Sequence, residues 1–117
     1  ADMSLISGIP PWVQMYFDRI QMRTGKKIKD VFPHFSVFVY GGVNFEPYRA
    51  KLEDSIGMKL DSIETYPASE GFIAYQDSQV HEGLLLLLNN GIFYEFVPAE
   101  EYFSDHPRRL SIEEVEL

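Results

Sequence analysis

The feature that most constrains this chain is the run Phe35-Ser36-Val37-Phe38-Val39-Tyr40, which stops at Gly41-Gly42. A short, bulky, nearly all-apolar segment reads as a strand buried on both faces. A helix is predicted to begin near Asn44–Pro47, with Tyr48, Leu52 and Ile56 as its apolar stripe and Gly57 as its end. Residues 59–66 then read as a second strand. Strand, glycine turn, helix and strand make a βαβ unit, whose crossover is expected to be right-handed.

An earlier helix precedes this unit. Pro10-Pro11 suits a helix start, because a proline at the first helical position forfeits no intrahelical hydrogen bond. Ile9, Val13, Tyr16 or Phe17, and Ile20 recur at helical spacing. Gly25 is placed to end the helix, with Lys26 and Lys27 near its negative pole. Trp12 falls on the apolar side and is expected to pack into the core.

The second half has a different rhythm. Residues 72–75, 83–88 and 92–97 read as three strands with no room for helices between them. Leu84 to Leu88 is expected to be core strand, and Asn89-Asn90-Gly91 a hairpin turn. The predicted fold class is α/β: a mixed sheet in which a parallel βαβ unit leads into an antiparallel meander, with helices packed on the sheet.

Composition narrows the function classes. At 117 residues and 45% hydrophobic, the chain has the material for one core. Its net charge of -8 argues against a protein that coats nucleic-acid phosphates. The absence of cysteine excludes disulfide frameworks, thiolate zinc sites and cysteine nucleophiles. A bilayer span needs roughly 20 apolar residues, and the longest aliphatic run is Leu84 to Leu88. With no secretory leader visible, a cytoplasmic protein is expected. Charge is uneven: residues 1–34 carry five basic and three acidic side chains, and residues 95–117 carry two basic and seven acidic.

Two segments could carry chemistry. In open α/β sheets ligands bind beyond the carboxyl ends of the strands, and Tyr40-Gly41-Gly42-Val43 lies at such an end. The alternative is a plain tight turn, and the segment matches neither a Walker loop nor GxGxxG. Thr65-Tyr66-Pro67-Ala68-Ser69-Glu70-Gly71 lies at the end of the second parallel strand. One carboxylate is enough for Mg²⁺ that also binds substrate phosphates, so Glu70 alone would suffice. The alternative is again a polar turn. A hydrolase elbow at Ser69, with Asp77 and His81 as partners, would need Gly where Pro67 stands and a helix where a strand is predicted. His34, His81 and His106 form no metal-binding pattern.

In order, the chain shows Gly8-Ile9-Pro10-Pro11-Trp12 opening a helix, a strand ending in Gly41-Gly42, a crossover helix, and Glu64-Thr65-Tyr66-Pro67-Ala68-Ser69-Glu70-Gly71. The run from Glu82 to Pro98 follows. This resembles the auxin-responsive Gretchen Hagen family of acyl-acid amido synthetases, its bacterial members especially, along nearly the whole chain. Tyr-x-x-Ser-Glu is the specific motif. The family belongs to the adenylate-forming, firefly-luciferase-like superfamily.

The resemblance implies a ligase that uses ATP and Mg²⁺ to adenylate a carboxylic acid, then transfers the acyl group to an amine, usually that of an amino acid. It assigns Tyr66 to the adenine, with Thr65 beside it. Ser69 goes to the phosphate and carboxylate region, and Glu70 to the metal. Gly41 and Gly42 lie along the nucleotide, and Gly42, Val43 and Trp12 along the acyl pocket.

The family's upstream phosphate loop, its downstream Tyr-Arg-x-Gly-Asp segment and its mobile C-terminal domain have no counterpart here; Arg108-Arg109 is not that motif. Residues 1–117 would then be a single partial domain, central in the large adenylate-forming domain and inactive alone. Apolar surface normally covered by the rest would favour self-association. The alternative is a non-catalytic binding or interaction module derived from such an enzyme.

Overall fold

Two glycines in the left-handed region, Gly25 and Gly57, close the two long helices and return the chain to the sheet. The computed structural model describes residues 2–116. In chain order the elements are β1 (Leu5–Ser7), α1 (Pro10–Thr24), α2 (Ile28–Val31), β2 (Val37–Gly41), α3 (Glu46–Ile56), β3 (Asp61–Ala68), β4 (Gly71–Tyr75) and β5 (Leu85–Leu86). By contact the chain divides into two compact units, Ala1–Leu87 and Leu88–Leu117.

The first unit is a mixed α/β fold. Its five strands lie in the order β1-β2-β3-β4-β5. β1, β2 and β3 are parallel, and β4 and β5 are antiparallel additions. The βαβ unit is therefore present, with α3 as its crossover. α1 starts at Pro10 and Gly25 ends it, its N–H donating to the Gln21 carbonyl at 2.7 Å. Gly57 ends α3 in the same way on Glu53 at 2.8 Å. β1 and α2 go beyond the sequence reading. β1 has only three residues, and α2 is a single turn, so neither shows a measurable period.

The core lies on one side of the sheet. Val13 and Phe17 of α1, Ile28 of α2, and Leu52 and Ile56 of α3 pack with Phe38 and Tyr40 of β2 and with Phe35 and Phe45. Phe17 meets Phe35 edge-on at 5.8 Å, and Phe38 meets Phe45 likewise at 5.3 Å. Gln14 is buried between the helices and donates to Ser55 Oγ at 2.7 Å.

This corrects the expectation that β2 is buried on both faces. Phe38 and Tyr40 are buried, whereas Val37, Val39 and Gly41 are only half-buried. α1 joins β1 to β2, and α3 joins β2 to β3. Crossovers of one hand between strands laid down in one direction put both helices on the same face.

Three further expectations fail. Trp12 is not core but 71% exposed, because Val13 and Phe17 take the inward positions of α1. The leucine run is not a core strand: only Leu85–Leu86 pair with β4, and Leu85 and Leu88 are exposed. Residues 92–97 do not return as a meander strand.

The second unit explains that last failure. The chain turns near Asn89, and Gly91 takes φ +83, but residues 92–95 belong to no strand. Phe96 instead exchanges both backbone hydrogen bonds with Leu110, at 2.9 and 2.8 Å. The backbone N–H and C=O of Phe96 thus have their partners within this unit. Phe93 is left 83% exposed.

Two 3-10 turns complete the unit, Ala99–Glu101 and Ile112–Glu114. Hydrogen bonds from the Arg108 backbone and side chain hold the Glu101 carboxyl below its ordinary range. Ser111 and Glu114 form a capping box that does the same for Glu114. Among the described residues, no helix is long and apolar enough to cross a membrane.

Candidate functional site

The carboxyl ends of β2 and β3 lie side by side. Gly41, the last residue of β2, is in register with Thr65 of β3. Thr65 Oγ1 donates to the Tyr40 carbonyl at 2.8 Å and clamps the strand ends together. A Cβ on Gly41 would collide with the Thr65 carbonyl oxygen, so any other residue here requires the backbone to shift. Gly42 takes φ +77, which favours glycine, and nothing lies within 4 Å of the space its Cβ would fill. Val43 follows, exposed, before α3.

β3 does not stop where the sequence suggests. It runs on from Thr65 through Tyr66 and Pro67 to Ala68. A strand rises about 3.3 Å per residue, so Ala68 stands about 10 Å beyond the level of Gly41. The register with β4 shifts between Tyr66 and Pro67. Proline has no N–H to give the ladder, which is where a strand tolerates such an irregularity.

Ala68 pairs with Gly71, leaving Ser69 and Glu70 as the two loop residues of a hairpin. Both are exposed, and Tyr66 is 54% exposed on the strand below them. The structure thus brings Gly41, Gly42, Val43, Thr65, Tyr66, Ser69 and Glu70 to one end of the sheet. It does not bring Trp12 there: the groove that Trp12 lines is formed by α1 residues alone.

The hairpin removes one reading. A nucleophile elbow needs a strand, a sharp turn and a helix, but β4 follows Ser69 directly. For Mg²⁺, no group of three His, Asp or Glu side chains converges among the described residues. Glu70 therefore fits only a cation that arrives with phosphate and water ligands of its own.

A polar pocket of about 530 Å³ lies on the helix-bearing side of the sheet, and sequence reasoning missed it. Tyr40, Ser62, Glu64, Arg49 and Gln76 contribute to its walls. The Tyr40 hydroxyl donates to Glu64 Oε2 at 3.3 Å. Burial, reinforced by the Glu64 charge, pushes that phenol up to about 12. Gln76 Oε1 accepts from the Glu64 N–H at 3.0 Å, and Gln79 Nε2 donates to the Ser62 carbonyl at 2.8 Å. Arg49 sits 4.5 Å over the Phe45 ring and pairs with Glu46 at 2.8 Å.

A signal for this pocket existed. Ser62 and Glu64 alternate on β3 in register with Phe38 and Tyr40. Polar residues on the helix-bearing face of a strand mark a wet gap in that layer.

No family model, curated protein or solved structure matches the chain.

Proposed function

We propose that the chain is a segment of an ATP-dependent acid–amine ligase, an acyl-acid amido synthetase of the Gretchen Hagen type, working in the cytoplasm. The carrying observation is the parallel pairing of Gly41 with Thr65. It sets the Gly41-Gly42 strand end beside the base of the hairpin that bears Tyr66, Ser69 and Glu70. Such strand ends are where open α/β sheets receive ligands.

In this reading Tyr66 offers its exposed ring to the adenine, with Thr65 fixing the strand end beneath it. Ser69 donates its hydroxyl to phosphate or carboxylate oxygen. Gly41 and Gly42 let backbone approach the nucleotide, and Gly42 and Val43 border the acyl chain. Glu70 is the carboxylate that would hold Mg²⁺ bound to phosphate. Mg²⁺, when bound, offsets the repulsion between a carboxylate and the phosphates it attacks. The acceptor is an amine, that of an amino acid.

ATP–pyrophosphate exchange tests this. In the longer protein that carries these residues, Glu70→Ala is expected to abolish exchange almost completely. The 117 residues alone are expected to be inactive. Exchange by the bare segment at the rate of the longer protein, or undiminished exchange in Glu70→Ala, would overturn the reading.

The polar pocket favours a second reading, a non-catalytic module that binds a small polar molecule between Tyr40, Glu64 and Arg49. The open reading frame separates the two. Continuation into a Tyr-Arg-x-Gly-Asp segment favours the ligase, and a stop codon after Leu117 favours the module.

A further inference from the structure

α1 carries a second apolar stripe on the side away from the core. Trp12, Met15, Tyr16 and Met22 are all exposed, and they line a shallow, open groove on the outer surface of this one helix. Their spacing of three, four and seven residues keeps them on neighbouring turns of one face. Tryptophan, tyrosine, methionine and arginine are the residues that interfaces concentrate.

The groove is also positively charged. Arg19 and Arg23 line it, and among the described residues neither has a carboxylate within salt-bridge range. Asp18 lies in it too, but its carboxylate is taken by Gln14 at 2.6 Å and by Lys51 at 3.8 Å. The chain as a whole carries -8, so this basic strip runs against its surroundings.

The complementary surface is in the same chain. Residues 112–116 read Ile-Glu-Glu-Val-Glu, and Ile112 and Val115 are both exposed. Glu114 is engaged by Ser111, while Glu113 and Glu116 are exposed and have no basic partner within salt-bridge range among the described residues. Two apolar side chains flanked by two carboxylates match two arginines beside an apolar groove in both chemistry and sign.

We infer that the α1 groove is a docking site for the acidic segment 112–116 of a second copy of this chain. Ile112 and Val115 enter between Trp12 and Met22, and Glu113 and Glu116 pair with Arg19 and Arg23. The contact joins two different surfaces, so it is heterologous and can propagate from copy to copy. One short segment on one helix lies at the small end of interface sizes, so association is weak and salt-dependent. The inference does not rest on the ligase reading.

Sedimentation of the 117-residue chain tests it. In ~50 mM salt the average mass is expected to rise over a roughly hundredfold concentration range, and in ~500 mM salt to stay at the monomer. Emission from Trp12, the one tryptophan, is expected to shift to shorter wavelength as association proceeds.

Two charge reversals at exposed positions complete the test. Arg19→Glu with Arg23→Glu, and separately Glu113→Lys with Glu116→Lys, are each expected to stay monomeric at low salt. An equimolar mixture of the two variants is expected to associate again, because the reversed segment then meets a reversed groove. A monomer under all conditions, association in either variant alone, or no recovery on mixing would overturn the inference.

Discussion

Thr65 stands opposite Gly41 on neighbouring parallel strands, and its hydroxyl closes the gap by donating to the carbonyl of Tyr40 at 2.8 Å. That clamp accounts for the first glycine of the Gly-Gly pair without any ligand. Gly41→Ala sets a methyl group against the Thr65 carbonyl oxygen, so backbone must move. The expected cost is about 1–3 kcal/mol, read as a lowered denaturation midpoint. Gly42→Ala meets no neighbour and carries only the strain of its positive φ, about 1 kcal/mol. A Gly42→Ala loss larger than that of Gly41→Ala would refute the clamp.

Tyr40 makes stability depend on alkaline pH. Its phenol is raised in the folded state from 10.0 to about 12, first by burial and then by Glu64. Above pH 10 the unfolded chain gives up this proton while the folded one keeps it. Stability from this group is therefore whole below pH 10 and declines as pH rises toward 12. Tyr40→Phe removes the contribution. Denaturation midpoints of wild type and variant should follow different slopes between pH 9 and pH 11; parallel slopes would dismiss the effect.

Phe17 is fully buried and touches Phe35 edge-on. Phe17→Ala is expected to cost about 3–5 kcal/mol, much of the stability of an ordinary domain. Trp12→Ala, five positions earlier on the exposed side of α1, should cost less than about 0.5 kcal/mol in the monomer. Thermal denaturation at low concentration checks both. Equal losses would refute the placement of Trp12 on the exposed face of α1.

Glu70 separates structure from chemistry. It is an exposed loop residue of a two-residue hairpin, so Glu70→Ala should move stability by less than about 0.5 kcal/mol. If the proposed ligase reading holds, loss of ATP–pyrophosphate exchange in Glu70→Ala at unchanged melting temperature would report on metal and phosphate handling. A large drop in melting temperature would instead give Glu70 a structural task.

Amide hydrogen exchange examines the second unit. The Phe96 and Leu110 N–H groups bond to each other's carbonyls and are expected to exchange slowly. The amides of Phe93 and Glu95, on exposed residues outside any ladder, are expected to exchange faster. Protection at residues 92–97 alternating with protection across β5 would restore the hairpin instead.

Both long helices were legible because their boundaries are local chemistry: Pro10-Pro11, Pro47, Gly25 and Gly57 act on their own backbone, and 3.6-residue spacing marks the faces between them. The parallel βαβ unit was legible for the same reason. Sequence alone brought Gly41-Gly42 and Tyr66 to Glu70 into consideration as one site. The tertiary structure decided the rest.

Trp12 and Val13 are equally apolar neighbours, and only packing against α3 and β2 determines which one turns inward. The two-sided burial expected of β2 failed because chain connectivity stacks both helices on one face. The hairpin expected after Asn89 is not formed, and the backbone of Phe96 is paired with that of Leu110, a partner that turn chemistry at Asn89-Asn90-Gly91 gives no means of finding. Local propensity writes the elements. Which faces meet, and which strands pair, is settled only when all of them compete for the same backbone groups and the same core.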